Sequence, residues 1–177
     1  MSIRKLNSRV VYQNPWMVVR EDEVERDNGV RGIYGVVEKF DSAIIIPIEH
    51  DQIFLVSQYR YPVGEHSLEF PQGSLERNGI DPVEIAREEL KQETGLEAGS
   101  LEYLGQIFIA IGYANQKTHA FLARGLQQGG SAPEAEEQDL VLRKIRIEQL
   151  EQLICDNQIK DAQTLAAWAL YKARTGA

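Results

Sequence analysis

The stretch Asp81-Pro82-Val83-Glu84-Ile85-Ala86-Arg87-Glu88-Glu89-Leu90-Lys91-Gln92-Glu93-Thr94-Gly95 reads as one helix with both ends marked. Asp81 is the N-cap, whose carboxylate accepts from an otherwise orphaned N–H, and Pro82 at the first helical position presets φ. Gly95 supplies the left-handed C-cap. Glu89 and Glu93, four residues apart, lie one above the other on one face. Like charges at that spacing cost a few tenths of a kcal/mol in an isolated helix. A hard divalent cation, Mg²⁺ or Mn²⁺, would reverse the cost, because it selects carboxylate oxygens. By itself the pair reads first as an acidic solvent face partly neutralised by Arg87 and Lys91, since charged helix faces are common; its context changes that.

Working outward, the segment from Tyr59 to Asn78 is rich in Pro, Gly and polar residues, so it reads as loop with short extended pieces. Before it, Ala43-Ile44-Ile45-Ile46-Pro47-Ile48 and Ile53-Phe54-Leu55-Val56 are nearly continuous apolar runs, expected as paired strands buried on both faces. From Val10 to Phe40 the chain reads as β structure, with Asp27-Asn28-Gly29 turning between Trp16–Arg20 and Gly32–Val37 as a hairpin. After the helix, strands are expected at Leu101–Ile111, Lys117–Ala123 and Leu140–Ile147. Two helices follow, Ile147–Cys155 and a last one capped by Asp161 and running to Lys172. Strands interleaved with helices give an α+β or mixed α/β sandwich.

The chain has 177 residues, 43% hydrophobic and 26% charged, enough for one substantial core. Its net charge of −8 disfavours the broad basic surface with which extended nucleic acid is bound. One cysteine, Cys155, excludes an intramolecular disulfide and a cysteine-cluster zinc site. His50, His66 and His119 show no metal-binding spacing. No apolar run approaches membrane-spanning length and no apolar leader follows Met1, so a cytoplasmic location with no membrane partner is the default expectation.

Glu69-Phe70-Pro71-Gln72-Gly73-Ser74-Leu75-Glu76, a loop and then the carboxylate helix resemble the Nudix hydrolase signature, G-x5-E-x7-R-E-U-x-E-E-x-G-U with U apolar. Counting back from Gly95 lays its Arg on Glu88 and the first of its paired Glu residues on Gln92. Counting forward from Gly73 leaves one residue over. Placing it in Arg77-Asn78-Gly79-Ile80-Asp81 keeps Ile85, Ala86 and Leu90 on one packable face. Gln58-Tyr59-Arg60-Tyr61-Pro62 with Leu68-Glu69-Phe70-Pro71 is similar to the approach segment of the ADP-ribose and nucleotide-sugar pyrophosphatase branch. From Trp16 to Lys172 the element order fits the same branch.

The resemblance implies a Nudix-like α/β/α sandwich with an N-terminal β-hairpin extension. Residues 1–40 would form that extension, through which members of the branch commonly dimerise, and residues 41–177 the catalytic domain. It implies metal-dependent cleavage of a nucleoside diphosphate linked to another moiety, with a small nucleotide as substrate and a homodimer as assembly. Glu89, Glu93 and the main-chain carbonyl of Gln72 would be the metal ligands. Ala135-Glu136-Glu137-Gln138-Asp139 resembles the branch's acidic loop, which makes Glu137 the first and Glu136 the second candidate for a late catalytic carboxylate, beside Glu89. Arg60 would grip the diphosphate through its planar fork of donors; its alternative is a surface salt bridge. Glu69 would accept hydrogen bonds from the substrate, or be a solvated loop carboxylate. Tyr113 would stack on the base, or be a packed aromatic. Glu88, Gln92 and Gln116 depart from the branch's pattern. They motivate a second expectation, a catalytically weak Nudix domain that binds a nucleotide as a sensor or scaffold.

Overall fold

The computed structural model describes residues 2–75, 79–129 and 139–176. β1 (Ile3–Gln13), β2 (Val18–Arg26) and β3 (Arg31–Glu38) form an antiparallel three-stranded sheet in that order. The β2–β3 hairpin turns at Asp27-Asn28-Gly29, where Gly29 takes φ 78°, the left-handed conformation that glycine enters without Cβ cost. β1 goes beyond the expected hairpin. None of its eleven residues is buried, so it carries no inside/outside alternation from which a strand could be read. Cross-strand ion pairs, Arg4–Glu25 at 2.5 Å and Arg9–Glu21 at 2.8 Å, accompany its ladder with β2.

The main sheet has seven strands: β4 (Ser42–Glu49), β5 (Gln52–Arg60), β6 (Glu65–Glu69), β7 (Gln72–Gly73), β8 (Leu96–Phe108), β9 (Lys117–Gln128) and β10 (Val141–Arg146). Its order is β10-β5-β4-β9-β8, with β6 on β5 and β7 on β4. Alternate residues of β4 serve two cores. Ala43 and Ile45 pack with Ile85, Ala86 and Leu90 of α1 (Pro82–Thr94). Ile44, Ile46 and Ile48 pack with Leu150 of α2 (Ile147–Cys155) and Trp168 and Tyr171 of α3 (Ala162–Thr175). One helix therefore covers one face and two cover the other, the mixed α/β sandwich.

The two apolar runs pair as a hairpin only at Ile48–Ile53 and Glu49–Gln52. Beyond that they part, β5 pairing with β10 and β6, and β4 with β9 (in parallel) and β7. The segment from Glu65 to Gly73 fills the resulting wedge: Glu69 pairs with Val56 on one side, Gln72 with Ile44 on the other. Phe70, fully buried, plugs its centre. A splay between neighbouring strands brings a polar loop into the middle of the sheet with both helix layers in reach.

Candidate active site

α1 is built as its sequence demands. Asp81 accepts from the Val83 N–H at 3.0 Å, and Gly95, at φ 69°, returns its N–H to Lys91 O. Ile85, Ala86 and Leu90 pack on the sheet, and the turn of the helix carries Glu89 and Glu93 inward with them, each only 5% exposed. Glu88 and Arg87 are solvent-exposed, and the Arg87 guanidinium reaches toward Ala98 O at 3.5 Å. The register that packs the apolar positions thus buries Glu89 and Glu93 and leaves Glu88 outside.

The segment facing α1 is fixed from three directions. Ile45 N–H donates to Pro71 O at 2.9 Å. That bond and the pairing register make Gln72–Ile44 a position where the antiparallel ladder turns both main-chain groups of Gln72 away from β4. Its N–H there donates to Glu93 Oε2 at 3.0 Å. Its carbonyl has the same side of the strand. Next to it, Gly73 lies against Glu89: a Cβ at this position would stand 2.6 Å from the Glu89 carboxyl carbon and closer still to Oε2. Only glycine lets the backbone approach so near.

Above lies a cleft of about 460 Å³, a size suited to a small molecule. Arg60, Glu69, Gln72 and Gly73 line it from the wedge, Lys39, Ser42 and Gln116 from one wall, and Lys160, Asp161 and Gln163 from the other. Arg60 and Glu69 meet as a two-pronged ion pair, Nε–Oε1 at 2.9 Å and Nη2–Oε2 at 2.5 Å. Glu69 is 3% exposed. Its burial pushes the carboxyl up, but the Arg60 guanidinium and the Gln72 amide outweigh this and hold it below the usual carboxylate value. The same hydrogen bonds raise Arg60 against its own desolvation. Two of the Arg60 nitrogens are thereby committed, and Nη1 has no partner among the described residues.

Arg60, Glu69, Gln72, Glu89 and Glu93 thus come together. Tyr113 does not join them: the residue is 61% exposed and is absent from the cleft wall. Its main chain instead ties residues 110–116 to β3, Tyr113 O accepting from Val37 N–H at 2.7 Å. Glu136 and Glu137 lie outside the described residues. Asp139, just after them, accepts from the Tyr59 N–H at 2.8 Å, which pins that end of the acidic segment beside Arg60. Sequence reasoning missed Lys39, Ser42, Lys160 and Gln163 as wall residues, and saw Asp161 only as a cap. The cap pattern was the one signal available, since the residues Asp161 meets across the wedge are remote in sequence.

The donors suit a hard cation. Among the described residues no cluster of three or more His, Cys, Asp or Glu side chains has metal-holding geometry. The set here is two buried carboxylates and a main-chain carbonyl, all oxygen: the Gln72 main chain stands against Glu93, and the missing side chain of Gly73 leaves room for the Glu89 carboxylate itself.

The pattern of the NUDIX domain matches residues 39–169, and that of the nucleoside diphosphate sugar hydrolase N-terminal domain matches residues 3–37. The chain belongs to the NUDIX family, in its ADP-ribose and nucleotide-sugar pyrophosphatase branch, and is a pyrophosphatase-type hydrolase. It is 28% identical to a methanol dehydrogenase activator of Bacillus methanolicus over 93% of this chain and 89% of that one. It is also 28% identical to an ADP-ribose pyrophosphatase of Mycobacterium tuberculosis, over 97% of this chain and 84% of the other. A crystal structure of an ADP compounds hydrolase superposes with a TM-score of 0.86 at 25% identity, covering 98% of this chain and 94% of that one.

Proposed function

We propose that the chain hydrolyses the diphosphate of ADP-ribose or a nucleotide sugar, giving a nucleoside monophosphate and a phosphorylated sugar, with Mg²⁺ or Mn²⁺ as cofactor. The observation that carries this reading is the convergence of buried Glu89 and Glu93 with the Gln72 main chain beneath a polar cleft. The naming of one relative as an ADP-ribose pyrophosphatase supports the substrate class.

Glu89, Glu93 and the Gln72 carbonyl would hold the cation. When bound, it neutralises diphosphate oxygens and lowers the pKa of an attacking water. Arg60 presents Nη1 to a phosphate oxygen, while Glu69 holds the guanidinium plane still; Glu69 therefore acts through Arg60 more than on the substrate. Lys39 adds positive charge to the cleft wall, where the rest of the chain is acidic, whereas Lys160 is paired with Glu65 of the same wall at 3.0 Å. Glu137, with Glu136 as second candidate, takes the proton of the water. Its support is the sequence pattern and the anchoring of Asp139 beside Arg60.

We also propose a homodimer formed through the N-terminal sheet. β1 is an edge strand of eleven exposed residues, and Ile3, Val10, Val11, Tyr12, Val30 and Ile33 are all at least 48% exposed. A long open edge with apolar side chains is the surface a second copy covers.

Product analysis with ADP-ribose, ADP-sugars, GDP-mannose and dinucleoside polyphosphates, each in Mg²⁺ and in Mn²⁺, tests the activity. AMP and ribose phosphate from ADP-ribose, abolished by chelation, are expected. Glu93→Gln should lower kcat/KM by on the order of 100-fold or more, since a charged ligand is lost. Nucleotide binding by calorimetry with no turnover across the panel would overturn the hydrolytic reading in favour of a sensor or scaffold.

A further inference from the structure

The first turn of α3 reaches the wedge segment at two points. Asp161 Oδ2 accepts from its own helix at the Thr164 N–H, 2.7 Å away, and the same oxygen accepts from Gln72 Nε2 at 3.2 Å. Thr164 is fully buried, and its Oγ1 accepts from the main-chain N–H of Phe70 at 3.0 Å. Neither outward contact is required to make α3: the cap needs only the first bond. Gln163 completes the anchor, its Oε1 accepting from Thr118 Oγ1 at 2.7 Å, with Ser42 Oγ 2.6 Å from the same Thr118 oxygen. The turn is thus tied to the sheet independently of the segment it holds.

The Gln72 amide is locked by this arrangement. Its second donor goes to Glu69 Oε2 at 2.7 Å, so two carboxylates take up the nitrogen and fix which end of the amide is which. Oε1 is left buried without a partner among the described residues, a state the side chain would leave by rotating if it were free to do so. On its other side the same residue donates its main-chain N–H to Glu93.

We propose that Asp161 and Thr164 are positioning residues of the cation site. Acting through the Gln72 side chain and the Phe70 N–H, they set where the Gln72 main chain stands against Glu93. α3, on one face of the sheet, thereby fixes donor geometry on α1, on the other. The inference rests on the cation role proposed for Glu89, Glu93 and Gln72.

Substitutions that keep the cap and remove the bridge test it. Ser and Asn cap a helix about as well as Asp. Asn reaches as far as Asp, so Asp161→Asn preserves the contact to Gln72, whereas the shorter Asp161→Ser does not. Mn²⁺ binding to the full chain without nucleotide, followed by the electron paramagnetic resonance of the free ion, is read beside the thermal midpoint. Asp161→Ser and Thr164→Val are expected to weaken Mn²⁺ by about tenfold or more, as loss of a residue that orients metal ligands does elsewhere. Asp161→Asn and Thr164→Ser should bind close to the parent. Gln72→Leu, which leaves α3 untouched, should weaken Mn²⁺ similarly and add nothing when combined with Asp161→Ser. Equal affinity in Asp161→Ser and Asp161→Asn, with the parent binding normally, overturns the positioning role alone. A parent chain that binds no Mn²⁺ removes the cation reading, and this inference with it.

Discussion

Glu69 shows how a single residue's surroundings decide its work. Its carboxyl is buried yet held below the ordinary value of 4.5, because Arg60 and Gln72 stabilise the charged form more than burial opposes it. A folded-state pKa below the unfolded one contributes stability that is complete above about pH 4.5 and is lost as pH falls through the folded value. The thermal midpoint of the parent should therefore drop on acidification below that point, and Glu69→Gln should flatten this part of the profile. At neutral pH the substitution should cost about 1–3 kcal/mol, less than for a fully buried pair, because the Arg60 side chain is 38% exposed and water can solvate it. Gly73 is the complementary case. Gly73→Ala must push the buried Glu89 carboxylate aside, so unfolding in urea should show a loss of about 1–3 kcal/mol. Activity should fall on the order of 100-fold, and the double variant Gly73→Ala/Glu89→Gln should be no worse than its worse parent, since both changes disable one unit. Additive losses would separate Gly73 from Glu89.

Among elements, α1 was the most legible, because its caps, its apolar face and its carboxylate pair are all set within fifteen residues. Gly95 holds the end of the helix in a left-handed turn two residues after Glu93. Gly95→Ala should cost about 1 kcal/mol in urea denaturation and weaken the cation site by loosening the last turn. Unchanged stability would contradict the strain assigned to φ 69°. The wedge was far less legible. Its Pro- and Gly-rich composition marks a loop with short extended pieces, and that is what β6 and β7 are. Their partners are not written locally: Gly73 finds Ala43 and Glu69 finds Val56 only once β4 and β5 have parted. The start of β8 at Leu96, immediately after α1, likewise follows from its long ladder with β9 and not from any alternation in Leu96–Phe108.

For the whole molecule, the net charge of −8 disfavours the broad basic surface with which extended nucleic acid is bound through counterion release. Among the described residues no helix is long and apolar enough to cross a membrane. The N-terminal sheet is held to the main domain partly through β3, where Tyr34 Oη donates to Gly112 O at 2.9 Å and Asn115 Oδ1 accepts from the Lys39 N–H at 3.2 Å. β1, at the far edge, pairs with β2 and with no other strand among the described residues. Light scattering should give the mass of two chains, and Val10→Glu with Ile33→Glu should raise the dimer dissociation constant by on the order of 100-fold. A single-chain mass for the parent at micromolar concentration would refute the dimer.

By itself the sequence determined the capped carboxylate helix, the alternation of helices and strands, and the family signature, because each is a matter of neighbouring residues and short spacings. Tertiary structure alone decided that Glu69 faces Arg60, that Gly73 lies against Glu89 and that Asp161 meets Gln72 across 89 residues of chain. Those contacts come from the splay of β4 from β5. It is fixed by how two cores pack on opposite faces of one sheet, a long-range balance with no local pattern in the sequence.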